Sequence, residues 1–76
     1  MRLTITGNIA SDTFSQLNVE SDTDEFGYNV TPDMEGNFLL YLDPKEYNAV
    51  LYVGEKVHKF TIKADLDITP LIQELL

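Results

Sequence analysis

The chain offers little that could act on a covalent bond. It has one histidine, His58, with Lys56 and Lys59 close by, and no cysteine. Without cysteine there is no thiolate nucleophile, no disulfide framework and no thiolate metal site. Ser11, Ser15 and Ser21 supply hydroxyls for a Ser-His-Asp arrangement, but none sits in the Gly-x-Ser-x-Gly elbow that exposes a nucleophile. His58 falls in step with Phe60 and reads as a packed or rim histidine. The expectation is a protein without catalytic residues, not an enzyme.

The carboxylates are better candidates. Asp22-Thr23-Asp24-Glu25 and Asp65-Leu66-Asp67 place acids at i and i+2, a spacing that holds Ca²⁺ when two loops converge. Asp22, Asp24, Asp65 and Asp67 are therefore the candidate metal ligands. The first run is not an EF-hand, because Phe26 occupies a ligand position and no Glu closes the loop at its twelfth residue. Solvated turn acids are the competing reading, and no cofactor is expected. A Gly-rich phosphate loop, a His/Cys cluster and a basic-aromatic strip are all missing from the sequence. Asn29-Val30-Thr31 matches a glycosylation sequon, but Pro32 follows it directly and the reading is coincidence.

The formal net charge is −8. Residues 1–43 hold eight acids against Arg2 alone, and residues 44–76 hold five against four lysines. So acidic a chain repels phosphate backbones, which argues against direct nucleic-acid binding. A basic partner, a cation or plain solubility are the remaining uses of the charge. No apolar run approaches the ~20 residues that span a bilayer, so no membrane partner is expected. Met1–Gly7 alternates in polarity and lacks the apolar stretch of a signal peptide. The expected location is the cytoplasm, or a virion assembled there.

These side chains must be positioned by a very small fold. Seventy-six residues make one domain, with 43 % hydrophobic composition. A domain of this size buries only about 60 % of its unfolded surface, so oligomerisation or docking is a natural source of further burial. The dominant signal is period-two alternation broken by turns. Leu3, Ile5 and Ile9 mark a first strand, with Gly7-Asn8 as a bulge or close-approach point. Phe14, Leu17 and Val19 mark a second, and Phe26, Tyr28 and Val30 a third that Pro32 ends. Gly36 and Asn37 tolerate the positive φ of a tight turn. Phe38–Leu42 is apolar on both faces, which predicts a central strand covered above and below. Tyr47–Val53 and Val57–Ala64 form a hairpin about Gly54-Glu55, with Lys59 and Lys63 on the solvated side. Arg2–Ile9 and Val57–Ala64 are the expected sheet edges.

Thr69-Pro70 starts a short helix, Thr69 as its cap and Pro70 at the first position. Leu71, Ile72, Leu75 and Leu76 then share one face. Seven residues do not hold as an isolated helix in water, so these four need a surface, either their own domain or a neighbour. They are the candidate interaction residues. The fold class is thus all-β, a small antiparallel sandwich of six to seven strands with a short amphipathic C-terminal helix at 69–76.

Residues 30–54 resemble the central hairpin of carboxypeptidase regulatory-like domains, which are transthyretin-like β-sandwiches. Gly36, Phe38, Leu40, Leu42, Pro44 and Tyr47 match the family's order of turn, core and corner residues. Lys45-Glu46 stands where the family usually has Gly, and Met34-Glu35 lengthens the turn. The resemblance implies the sandwich fold and carries no catalytic residues. Its members serve as adhesive, accessory or assembly modules, and similar small sandwiches decorate phage particles.

Composition and resemblance together point to a non-catalytic structural or interaction module, a subunit of a larger assembly such as a phage virion, working through a protein partner or self-association. Two other readings stand beside it. An acidic inhibitor or nucleic-acid mimic would need the acids of residues 20–35 on one surface. A ligand- or carbohydrate-binding module would show Tyr28, Tyr41 or Tyr52 exposed on a sheet face.

Overall fold

A computed structural model describes residues 2–22 and 27–76. Seven strands and one helix follow in chain order: β1 (Leu3–Asn8), β2 (Ser15–Glu20), β3 (Tyr28–Val30), β4 (Asn37–Leu42), β5 (Tyr47–Val53), β6 (Lys56–Ile62), β7 (Leu66–Asp67) and α1 (Thr69–Leu75). They build a sandwich of a three-stranded sheet, β4-β1-β7, and a four-stranded sheet, β3-β2-β5-β6. The all-β class and the short C-terminal helix are as the alternation and the Thr69-Pro70 signal predict. No helix among the described residues is long and apolar enough to cross a membrane.

The core is the inward half of each alternating strand. Leu3 and Ile5 from β1, Leu17 and Val19 from β2, and Phe38 and Leu42 from β4 meet Tyr47, Ala49, Leu51 and Val53 from β5. Fully burying one such side chain contributes about 1.5–3 kcal/mol, so this set carries the stability of the domain. The Tyr47 hydroxyl is not stranded there, because it donates to the Asp43 carbonyl across the corner (3.0 Å). Gly54, at φ 61°, occupies the first centre of the two-residue β5–β6 turn while Glu55 keeps a negative φ, the II′ pattern that suits strand twist.

Several expectations change. Phe38–Leu42 is not a covered central strand. β4 lies at the edge of its sheet, and its outward Leu39 and Tyr41 are about half exposed, with the Arg2 guanidinium 4.7 Å from the Tyr41 ring. Arg2–Ile9, in turn, is not an edge. β1 is flanked by β4 on one side and on the other by β7, a two-residue strand too short to show periodicity. The β1–β7 pairing is parallel, the one exception to the antiparallel scheme among the described strands. The last long strand ends at Ile62 rather than Ala64. Asn37 has no positive φ; Gly36 alone takes it (84°), and a Cβ there would collide with the Ile9 carbonyl. The start of the third strand, at Phe26, lies outside the described residues.

Gly7 is a close-approach point and not a bulge. Its register with Phe38 is regular, and an added Cβ would lie 2.5 Å from Cγ1 of Ile68. That contact seats the C-terminal segment on its own domain. Ile68 and Ile72 are fully buried, Leu71 and Leu75 half-buried, and Leu76 is about half exposed. Ile72 is therefore a core residue, closed to a neighbour, and Leu76 is the member of the predicted four that remains well exposed. Thr69 does not cap the helix. Ile68 is at the N-cap, and Thr69 Oγ1 instead accepts from the Asn8 backbone N–H (3.0 Å) and donates to Asp67 (2.6 Å). The hydroxyl ties the helix start to the end of β1.

Candidate functional site

Among the described residues the calcium candidates do not assemble. No three described His, Cys, Asp or Glu side chains are grouped so that they could hold a metal ion. Asp65 Oδ1 accepts from the Thr4 backbone N–H (2.7 Å). Asp67 Oδ1 accepts from both the hydroxyl and the N–H of Thr69 (2.6 and 3.0 Å), which holds its carboxyl below the ordinary value. Both acids are thus committed to the chain's own donors. Asp22 lies by Lys45, Glu46 and Asn48, and Asp24 lies outside the described residues.

Of the hydroxyl and imidazole candidates, Ser11 and His58 have other partners. Ser11 Oγ bonds to Thr13 Oγ1 (2.9 Å) and accepts from the Thr13 N–H (3.1 Å). His58 is half-buried on β6, stacked on Phe60 with ring centroids 5.7 Å apart. Ser15 is only 3 % exposed, and its hydroxyl has no hydrogen-bond partner. A buried polar atom left unpaired costs about 1–3 kcal/mol, so its surroundings call for an explanation.

Ser15 sits where the two sheets part, in the floor of an open mouth of about 410 Å³. The loop 10–14 forms one lip and the loop 31–36 the other. Each is braced locally: Ser11 holds the first, while Asp33 Oδ1 accepts from the N–H groups of Glu35 and Asn37 (both 2.9 Å) in the second. The Gly36 carbonyl accepts from the Ile9 N–H (2.8 Å), joining the two lips. On this hydrogen-bonded frame stand Phe14, 62 % exposed, and Met34, wholly exposed. Asp12, Asp33 and Glu35 line the mouth, and no basic residue among those described does. Thr13 leads into an adjoining hollow with Gly54, Glu55, Lys56, Leu75 and Leu76. One end of the sandwich therefore displays Phe14, Met34 and Leu76 among acids.

The sequence placed Phe14 in the second strand. Its phase shows otherwise: Leu17 and Val19 fix the inward set as odd-numbered, so Ser15 points in and Phe14 falls in the loop before β2. Met34 was read only as turn filler.

A second hollow, of about 280 Å³, lies on the outer face of β3, β2 and β5. Asn18, Glu20, Asn29, Asn48, Tyr28 and Tyr52 line it. Asn18 pairs directly with Asn29, and Asn48 lies diagonally from Asn18 across β2–β5. Asn18 Oδ1 is buried and unpartnered, the only side-chain atom besides the Ser15 hydroxyl in that condition among the described residues. Each hollow thus contains one orphan polar atom. Glu20 and Asp22 sit a β2 length, about 17 Å, from the mouth acids, so the described acids of residues 20–35 form no single surface. Of the tyrosines, Tyr28 and Tyr41 are exposed, Tyr41 on the outer face of the other sheet, and Tyr52 is half-buried. Compared with protein-family models, with curated proteins and with solved structures, the chain matches none of them.

Proposed function

We propose that this chain is a non-catalytic interaction module that docks on a larger assembly through the mouth of its sandwich. The observation that carries the reading is the cluster of Phe14, Met34 and Leu76 at one acidic end. Phenylalanine and methionine are enriched in interface cores, and exposed apolar groups gathered around a concavity are the usual mark of a partner site. The thioether of Met34 adapts to an irregular partner surface, while Phe14 gives a rigid anchor. The partner is a protein segment with an apolar side chain beside Lys or Arg. Asp12, Asp33, Glu35 and Glu55 supply the complementary charge against Lys56. The same charges oppose a second copy meeting end to end, because two acidic mouths repel.

Binding of a synthetic alternating Lys/Leu peptide, followed by fluorescence anisotropy, tests this reading. The native chain is expected to bind it, to bind it more weakly as salt rises, and to ignore the matching Glu/Leu peptide. The Phe14→Ser, Met34→Ser double variant is expected to lose roughly tenfold or more in affinity, as removal of interface anchors does. Equal binding by the variant, or equal binding of both peptides, would overturn the proposal.

A further inference from the structure

The hollow on the outer face of the four-stranded sheet is independent of the mouth, and its materials are different. Asparagine is disfavoured in strands, yet Asn18, Asn29 and Asn48 all occupy strand positions there, on three neighbouring strands and one face. A local rule broken three times on one face, with no compensating contact, is the pattern expected of a functional surface. None of the three side chains makes a hydrogen bond to another described residue. The Asn18 carbonyl is buried in the wall of the hollow with its acceptor unfilled.

The lining selects the ligand class. Each amide offers donors and an acceptor in fixed relation, which matches the vicinal hydroxyls of a sugar, each both donor and acceptor. Glu20 adds an acceptor-only carboxylate for a hydroxyl pair. Tyr52, half-buried beside Val50 on β5, gives an aromatic and aliphatic patch against which the C–H face of a pyranose ring can lie. No Lys, Arg or His among the described residues lines the hollow, which disfavours phosphate, sulfate and carboxylate ligands. The lining mixes amide and apolar groups, whereas lipid and drug-like sites are mainly hydrophobic. The volume suits one sugar unit with its neighbours in solvent.

We infer that this amide face is a binding site for a neutral hexose unit, held by Asn18, Asn29 and Asn48 and stacked on Tyr52. Asn18 is the central residue because its orphan acceptor is the one group that a bound hydroxyl would complete.

The test is a titration of the full chain with glucose, galactose, mannose, N-acetylglucosamine and their disaccharides, followed by backbone amide shifts. Inorganic phosphate and a neutral unstructured peptide serve as comparison probes. At least one sugar is expected to move the signals of Asn18, Asn29, Asn48 and Tyr52 while those of the mouth stay still. Asn18→Val replaces the amide with a good strand former, so the variant is expected to melt higher than the native chain. It should nonetheless lose about tenfold or more in sugar affinity, since the completed hydrogen bond is gone. Tyr52→Leu should weaken binding without unfolding. No response to any of these sugars, a response from the peptide or phosphate alone, or native-like sugar binding by a folded Asn18→Val would overturn the inference. Loss of mouth binding in the Lys/Leu experiment would leave it standing.

Discussion

The mouth of the sandwich and the outer face of its four-stranded sheet are both uncovered, but they are built from opposite materials. The mouth takes its exposed apolar groups, Phe14 and Met34, from loops, and its charge from Asp12, Asp33 and Glu35. The amide face takes its groups from strand positions, where asparagine runs against propensity. Loops can present apolar side chains without disturbing a pleat, whereas a strand that presents amides gives up cross-strand packing. The first arrangement suits a partner that brings its own hydrophobic anchor. The second suits a small polar ligand met by fixed donors and acceptors. Each hollow retains one unpaired buried polar atom, Ser15 Oγ or Asn18 Oδ1.

The largest expected effect concerns the helix beside the mouth. Ile72 is fully buried and anchors α1, whose end supplies Leu75 and Leu76 to the hollow beside the mouth. Ile72→Ala should cost about 2–5 kcal/mol, read by urea unfolding, a large part of the stability of so small a domain. An intact Lys/Leu site in a variant that keeps its sheets but frees the helix would separate Leu76 from the docking surface.

A middle effect compares the two orphans directly. Ser15→Ala and Asn18→Val each remove an unpaired buried polar atom, and each should stabilise by about 1 kcal/mol. For a domain of this length that raises Tm by about 4–8 °C. The two gains should add, because the sites lie in separate hollows and share no partner. A Tm that falls in both variants would show that the hydroxyl and the amide are satisfied in solution.

The smallest effect is electrostatic and lies in neither hollow. Asp67 is highly exposed, and the Thr69 hydroxyl and N–H depress its folded value below the ordinary 3.8. Its contribution is fully present above the unfolded value and is lost as pH falls through the depressed folded one. Native stability should therefore decline more steeply than that of Asp67→Asn below about pH 3.8, with matching slopes near neutrality. Denaturant midpoints taken across that acid range provide the check.

How much of this was legible in the sequence depends on whether a period was present. β5 was read to the residue, because Tyr47, Ala49, Leu51 and Val53 alternate without interruption between two turns. The fully buried Ile72 and the half-buried Leu71 and Leu75 follow from helical spacing and the Pro70 start. β7 was not visible, since two residues carry no alternation, and without it β1 reads as an edge. The double-sided apolarity of β4 was read as burial, but a strand at a sheet edge can carry Leu39 and Tyr41 toward solvent. Thr69 looked like a cap because the type and position fit; the competing acceptor, Asp67, lies only two residues away. The mouth was hidden, because it joins loops separated by about twenty residues of chain whose pairing depends on sheet topology. The amide face left a trace, three asparagines at strand positions, but only the β2–β3 and β2–β5 registers place them together.

The central claim is that one end of this molecule is a docking surface. Mapping backbone amide shifts of the full chain as the Lys/Leu peptide is added tests it most directly. The account predicts changes concentrated in residues 11–15, 31–36 and 54–57 and at Leu75 and Leu76, with the amide face unaffected. Changes spread evenly over the acidic residues of the whole surface, or centred on the far end around Glu20 and Asp22, would contradict it.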